Sequence, residues 1–164
     1  MSIKIEHKQL AEKIASALIS KNETIAIAEA TTGGLVSASL LAVEGASRYY
    51  AGGGVLYTLN SRIVLAGVSS EEYKDYRGTT PEMISSLANS MRLKIGSTWC
   101  IAESGLAGAS GGRFGGEPGN TIIGITGPLE KTECFDSGLK GREENMIAFT
   151  TRTLQFTLEC LESA

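Results

Sequence analysis

Apolar and polar residues repeat along the first fifty positions with periods that predict a helix, a strand and a second helix. The first apolar set returns every four residues, as one face of a helix does, and comprises Leu10, Ile14 and Leu18. This helix is predicted to end near Asn22. The short apolar run 24–28 is typical of a buried strand, and the small apolar residues 35–43 predict the next helix.

The middle of the chain continues this alternation. Residues 49–58 are aromatic and β-branched at their ends, and the glycines at 52–54 predict a bulge or a close approach by another backbone or a ligand. One or two helical turns are expected at 60–65. The pair 80–81, a capping threonine followed by proline, begins a helix whose apolar spacing continues to Gly96.

The last third of the chain predicts three strands and a closing helix. Residues 98–102 read as a buried strand, after which a long glycine-rich loop is expected to be functional or mobile. Segments 121–126 and 131–135 flank a turn and predict a hairpin. The helix at 143–162 has a second apolar face that includes Phe149, so we expect it to be covered on two sides, by the sheet and by a partner subunit.

This order of elements predicts an α/β fold in which helices cover both faces of a mostly parallel sheet with one antiparallel strand. No linker or repeat divides the chain, so residues 1–164 are expected to form a single domain. Ligands of such sheets bind beyond the carboxyl ends of the strands. The turn at 30–34, the strand end at Tyr57 and the loop after Glu103 are therefore predicted to meet at one edge.

Composition narrows the class of protein. The chain has 164 residues, 42% of them hydrophobic and 20% charged, and no apolar stretch long enough for a membrane span, so a cytoplasmic protein without a membrane partner is expected. A formal net charge of -3 argues against a nucleic-acid partner and leaves small anionic ligands open. One histidine and three distant cysteines, interpreted as core residues, predict no metal site and no cofactor.

The turn that follows the first strand carries the candidate chemistry. Thr31 and Thr32 offer hydroxyl groups, and Gly33 and Gly34 offer backbone N–H groups at a helix start. Such groups hold an anion or stabilise a developing oxyanion. The alternative for Thr31 is a helix cap, and for Thr32 an early helical residue.

The same turn, Ala-Glu-Ala-Thr-Thr-Gly-Gly at 28–34, resembles the Ala-Glu-Ser-Cys-Thr-Gly-Gly signature of the CinA C-terminal domain family. Segments 44–58, 104–108 and 118–121 are similar to further family motifs in the same order. The resemblance covers nearly the whole chain. It implies a three-layer α/β/α sandwich with a mixed five-stranded sheet, and a role in NAD metabolism: hydrolysis of the carboxamide of nicotinamide mononucleotide to the acid and ammonia.

In active members of the family, the resemblance implies a serine nucleophile in the signature and a lysine base in a later motif. These positions fall on Ala30 and Arg62, and a late second arginine falls on Met146. An alanine offers no nucleophile, and arginine stays protonated in proteins. The family mechanism is therefore predicted to be impaired or lost, while a pocket for a phosphate-bearing pyridine nucleotide is retained.

The predicted ligand-binding residues combine the turn with residues at the other two strand ends. They are Ala30, Thr31, Thr32, Gly33, Gly34, Tyr57, Arg62, Ser104, Gly105, Gly108 and Arg142. Arg62 is interpreted either as a clamp on a phosphate or carboxylate or as a solvated helix residue. Tyr57 is interpreted either as a stacking surface or as core packing.

Two other functions remain open from the sequence. In the first, the protein is an active deamidase in which Thr31 or Thr32 is the nucleophile and Lys94, Lys131 or water is the base. In the second, the domain only packs against partners. The preferred hypothesis is a binding protein for nicotinamide mononucleotide or a similar small molecule, in a homo-oligomer.

Overall fold

A computed structural model describes residues 3–110 and 112–164 as five helices and five strands, with two short 3₁₀ turns. The helices are α1 (Ile5–Ser20), α2 (Leu35–Leu41), α3 (Leu59–Ala66), α4 (Pro81–Ile95) and α5 (Arg142–Ser163). The strands are β1 (Ile25–Glu29), β2 (Tyr50–Val55), β3 (Trp99–Leu106), β4 (Asn120–Thr126) and β5 (Lys131–Asp136). Gly111 lies outside the described residues.

The strands form one mixed sheet in the order β2-β1-β3-β4-β5. β2, β1 and β3 pair in parallel, whereas β4 is antiparallel to both β3 and β5. Four strands therefore run in one direction and β4 runs against them, which confirms the predicted mixed, mostly parallel five-stranded sheet. The β4–β5 pair is the hairpin that the sequence indicated.

Helices cover both faces of the sheet, so the architecture is the predicted α/β/α sandwich. On one face, Ile27, Ile101 and Ile125 pack in a core with α1, α2 and α5. On the other face, Ala26 and Cys100 pack in a second core with α3 and α4. The side chains of the central strands β1 and β3 alternate between these cores because successive residues point to opposite faces.

Helix α4 begins and ends as the sequence predicted. The hydroxyl of Thr80 accepts a hydrogen bond from the backbone N–H of Met83 at 3.2 Å, and Pro81 occupies the first helical position. Gly96 ends the helix in the left-handed conformation, with φ of 80°. Both helix ends can be predicted from nearby residues because the capping groups all lie within a few residues of them.

Strand β3 is longer than the sequence predicted. The prediction ended at Ala102, yet β3 continues through Ser104 and Gly105 to Leu106. The antiparallel partner β4 provides backbone hydrogen bonds along this extension, and this pairing overrides the weak strand preference of serine and glycine.

Two predictions about burial are wrong. Cys134 is exposed on the edge strand β5, whereas Cys100 and Cys160 are buried as expected. The second apolar face of α5, including Phe149 and Phe156, is buried within the chain, where α1 and α2 pack against this helix. Helix α5 therefore gives no argument for a partner subunit, and a homo-oligomer stays a prediction. Among the described residues, no helix combines the length and apolar character that crossing a membrane requires.

The glycines of β2 have the close backbone contact that the sequence suggested as one possibility. β2 is an edge strand, and Gly53 lies opposite Ile27 of β1. A β-carbon added at Gly53 would lie 2.2 Å from the backbone oxygen of Ile27. The neighbouring backbone, rather than a ligand, therefore explains the need for glycine at this position.

Candidate functional site

One cavity of about 940 Å³ opens at the edge of the sheet where β1, β2 and β3 end and β4 begins. Ala30 and Thr31 line it from the end of β1, Tyr57 from the segment after β2, and Ser104 from the extended part of β3. The three stretches that were predicted to meet at this edge therefore do so. The antiparallel β4 adds Thr121 near its first residue, because its amino end lies at the same edge.

Eight of the eleven predicted ligand-binding residues line this cavity. They are Ala30, Thr31, Tyr57, Arg62, Ser104, Gly105, Gly108 and Arg142. Thr32, Gly33 and Gly34 do not line it. Thr32 is completely buried, a β-carbon on Gly33 would lie 2.8 Å from Cε of Met146, and one on Gly34 would lie 3.6 Å from Val55.

The helix start that looked like an open anion site is already occupied by a side chain of the protein. The carboxylate of Glu29 accepts hydrogen bonds from the backbone N–H groups of Val36 at 3.2 Å and Ser37 at 3.0 Å. The residue before α2 is Gly34, in the left-handed conformation, so Thr31 is not its cap. The prediction of Thr31 as a cap is therefore wrong, and so is that of a free N–H at Gly33, which donates to the backbone oxygen of Ala30 at 3.2 Å.

A second buried carboxylate, Glu103, lies behind the cavity wall and accepts hydrogen bonds from residues of that wall. Thr31 donates a hydrogen bond to its Oε1, to which Thr121 also donates at 2.6 Å. The backbone N–H of Thr32 donates to its Oε2 at 3.1 Å, and the Thr32 hydroxyl lies 2.5 Å from Glu29 Oε2. Burial raises the pKa of Glu103, these hydrogen bonds lower it, and the nearby Glu29 charge raises it further; the net shift is upward.

Neither glutamate was predicted as a site residue. Glu29 and Glu103 lie side by side on the neighbouring strands β1 and β3, and both are fully buried. Each follows an apolar strand run directly, and that position could have identified them. The signal is an acidic residue directly after a run of apolar strand residues that belong to the core.

We expect Glu103→Gln to stabilise the protein at neutral and higher pH. Because the pKa of Glu103 is raised in the folded state, the folded protein holds this proton more tightly than the unfolded chain does. The stability that the proton contributes is fully present below the unfolded-state pKa and is lost as pH rises through the folded-state pKa. Glutamine cannot ionise, so the advantage of the variant should vanish toward about pH 4, near the ordinary pKa of glutamate. Urea unfolding over a series of pH values measures this.

The exposed residue Glu12 provides the matched control, because Glu12→Gln removes the same charge from the surface of α1. This control should change the free energy of unfolding by less than about 0.5 kcal/mol. A Glu103→Gln protein that is less stable than the unmodified chain at every pH would contradict the assignment.

Arg62 of α3 is buried at the inner end of the cavity, with only 3% of its surface exposed. Its Nε donates to the backbone oxygen of Leu56 at 3.2 Å, and its Nη2 donates to the hydroxyl of Ser104 at 2.8 Å. Its Nη1 has no partner among the described residues. The ion pairs within the described ranges all involve Arg152, so no carboxylate balances the Arg62 charge. The interpretation of Arg62 as a solvated helix residue is therefore wrong.

The outer parts of the cavity are more exposed. Tyr57 is 58% exposed, which rules out core packing for its ring. The guanidinium of Arg142 crosses Gly108, where an added β-carbon would lie 3.0 Å from Nη2. Lys94 and Lys131, the lysines suggested as bases, are not in the cavity wall, and Lys131 lies over the ring of Phe156.

All the charged side chains that line the described cavity are basic. They are Arg62, Lys74, Arg77, Arg113 and Arg142. Because the chain as a whole has a formal net charge of -3, this wall is a local concentration of positive charge. Such a wall favours anionic ligands.

Comparisons with known proteins identify the family. The model of the CinA C-terminal domain matches residues 7–163. A CinA-like protein of Prochlorococcus marinus is 37% identical over 111 residues, which cover 68% of this chain and 26% of that protein. One of a Cyanothece species is 31% identical over 140 residues, covering 84% of this chain and 34% of that protein. The chain therefore spans about a third or less of these two relatives.

Solved structures of this superfamily have the same fold. A competence-damaged protein (CinA) superfamily protein from Enterobacter cloacae is 25% identical and superimposes with a TM-score of 0.88, covering 98% of this chain and 95% of that one. A superfamily member from Klebsiella pneumoniae shares the fold, with a TM-score of 0.89 at 21% identity, over 96% of this chain and 99% of that one. These matches confirm the resemblance that the sequence motifs indicated: the chain belongs to the CinA C-terminal domain family.

Proposed function

We propose that this protein binds a phosphate-bearing, pyridine-nucleotide-type ligand in the cavity at the sheet edge and lacks the amide hydrolysis of the family. The observation that carries the proposal is the unpaired guanidinium of Arg62. A charge removed from water costs several kcal/mol unless a counter-charge and hydrogen bonds compensate for it. An oxygen of an anionic ligand would supply both to Nη1, which has no partner among the described residues.

The proposed loss of hydrolysis rests on the two positions at which the family motifs place the nucleophile and the base. Ala30 lies in the cavity wall with a methyl group in place of a hydroxyl. Arg62 lies in the same wall, and a guanidinium offers only donors, with no acceptor that could take the proton of a nucleophile. The two changes together remove the attacking atom and the group that would activate it.

A second candidate function is supported by the contact between Thr31 and Glu103. The Thr31 hydroxyl borders the cavity, donates to Glu103, and accepts a hydrogen bond from the backbone N–H of Gly105 at 2.8 Å. A carboxylate whose pKa is raised is a stronger base than an ordinary one. In this alternative, the Thr31 oxygen attacks the carboxamide carbon, its proton passes to Glu103 and then to the departing ammonia as the C–N bond breaks, and water then hydrolyses the Thr31 ester to the acid.

Calorimetric titration with nicotinamide mononucleotide tests the proposal. We expect the unmodified protein to bind the nucleotide and Arg62→Met to weaken binding by about 10- to 100-fold, because a hydrogen bond from a charged donor is lost. The control is Arg48→Met, which removes an exposed arginine outside the cavity wall and should leave affinity unchanged.

Two outcomes would contradict the proposal. The first is the absence of nucleotide binding by the folded, unmodified protein. The second is release of ammonia by the unmodified protein that Thr31→Ala abolishes, which would support the second candidate function instead.

A further inference from the structure

The cavity has two separate basic regions, and they differ in burial. Arg62 is at the inner end, held between Leu56 and Ser104 and almost completely buried. Arg77 and Arg113 belong to the outer part of the wall and are exposed. A volume of about 940 Å³ lies near the upper end of the range of roughly 300–1,000 Å³ that is usual for ligand pockets. One small anion at Arg62 would leave most of this space and the outer charges unused.

An aromatic wall connects the two regions. Tyr73 lies beside Arg62: burial raises the pKa of this tyrosine, and the positive charge of Arg62 and a side-chain hydrogen bond with it lower that pKa less strongly. The ring of Tyr73 packs edge-on against Tyr76 with centroids 6.2 Å apart, and Tyr76 packs against Phe114 at 5.8 Å. The buried hydroxyl of Tyr73 interacts with Arg62 but has no partner at full hydrogen-bond geometry among the described residues, so a ligand oxygen would complete its hydrogen bonding.

The outer region concentrates like charges around one ring. The guanidinium groups of Arg77 and Arg113 each lie 5.5 Å from the centroid of Phe114. Neither forms an ion pair within the part of the chain that the structure describes. Two exposed guanidinium groups suit a phosphate, which carries up to two negative charges and remains partly hydrated.

The inner region suits a smaller anion. Two of the three nitrogen atoms of Arg62 already donate to protein groups, so Nη1 alone is free. A doubly charged phosphate would lose most of its hydration there and gain few hydrogen bonds, at a high cost in free energy. A singly charged, planar carboxylate loses less hydration and is the usual partner of a guanidinium.

Resting on the proposed function, we infer that the preferred ligand is the acid form of a pyridine mononucleotide, with its ring carboxylate at Arg62 and its phosphate at Arg77 and Arg113. The pyridine and ribose then lie along the wall formed by Tyr73, Tyr76 and Phe114. The ligand is anionic at both ends, and the free carboxamide form would leave the buried charge of Arg62 without a counter-charge.

Two ligands that differ at one group test this inference by calorimetric titration. Nicotinic acid mononucleotide and nicotinamide mononucleotide share every atom except the carboxylate or carboxamide group. We expect the acid to bind about tenfold more tightly or better, because only the acid pairs with the buried guanidinium. Arg62→Gln should abolish this difference, because it weakens the amide, which loses a hydrogen bond from Nη1, less than the acid, which loses that hydrogen bond and a counter-charge.

Substitutions in the outer region should change the ligand affinities in a different way from substitution of Arg62. Arg77→Gln combined with Arg113→Gln should weaken both mononucleotides by a similar factor of about ten or more, and should not affect nicotinamide riboside, which lacks the phosphate. Arg48→Gln combined with Lys94→Gln removes the same net charge from outside the cavity wall and should change no affinity by more than about twofold.

The outcomes separate this inference from the proposed function. If the amide mononucleotide binds but the acid binds no more tightly, the inference is wrong and the proposed function stands. The inference is also wrong if the preference for the acid survives Arg62→Gln. It is wrong as well if Arg77→Gln combined with Arg113→Gln weakens the binding of nicotinamide riboside as much as that of the mononucleotides. If no mononucleotide binds to the folded protein, both are wrong.

Discussion

Combining Ala30→Ser with Arg62→Lys is expected to produce ammonia release from nicotinamide mononucleotide, whereas the unmodified protein should release none. Both positions lie in the wall of the same cavity, and the family motifs place the nucleophile and the base there. A lysine at the buried position of Arg62 would have a pKa lowered by desolvation, so a neutral amine could take the serine proton. A coupled assay for ammonia measures the change.

The two single substitutions are the controls for this experiment. Ala30→Ser alone supplies a hydroxyl beside a guanidinium that cannot accept its proton, and Arg62→Lys alone supplies a base without a nucleophile. Each should therefore remain near the background rate. Equal activity in Ala30→Ser and in the double variant would contradict the argument that both positions must change.

Replacing Gly53 by alanine should destabilise the fold by about 3 kcal/mol or more, a value in the upper range for single substitutions. The new β-carbon would lie 2.2 Å from the backbone oxygen of Ile27, so β2 would have to move away from β1. Such a shift breaks backbone hydrogen bonds along the pair of strands and draws the segment that carries Tyr57 away from the cavity. Urea denaturation measures the change in the free energy of unfolding.

Gly54→Ala is the matched control, one residue further along the same strand. A β-carbon on Gly54 would meet Cδ2 of Leu56 at 3.7 Å, which is an ordinary contact distance. This variant should change the free energy of unfolding by less than about 1 kcal/mol. Equal losses at the two positions would show that strand propensity, rather than the Ile27 contact, determines the effect.

Local patterns were sufficient for much of the fold. The apolar period of α4 and its Thr80 cap lie within one stretch of chain, so the sequence predicted both ends of this helix. The extension of β3 could not be predicted in this way, because Ser104 and Gly105 become strand residues only through pairing with β4. Strand pairing depends on residues that are distant in the chain, and it can override local preference.

The candidate site was also predicted only in part. The sequence located the edge of the sheet and identified Thr31, Arg62 and Ser104 as residues at that edge. It assigned a free N–H group to Gly33, although that group donates to the backbone oxygen of Ala30, and it missed the carboxylate of Glu29 at the start of α2. A sequence lists possible donors and acceptors, but the partner that each one takes depends on the packing of segments far apart in the chain.

By itself, the sequence determined the layered α/β architecture, the family and the position of the cavity, because these follow from local periodicity and from motifs in a fixed order. The tertiary structure alone decided that Glu103 is buried beneath Thr31 and that Arg62 is a buried cation with one free donor. Burial removes the water that would otherwise satisfy a charged group, so its chemistry depends on neighbours that only the folded chain provides.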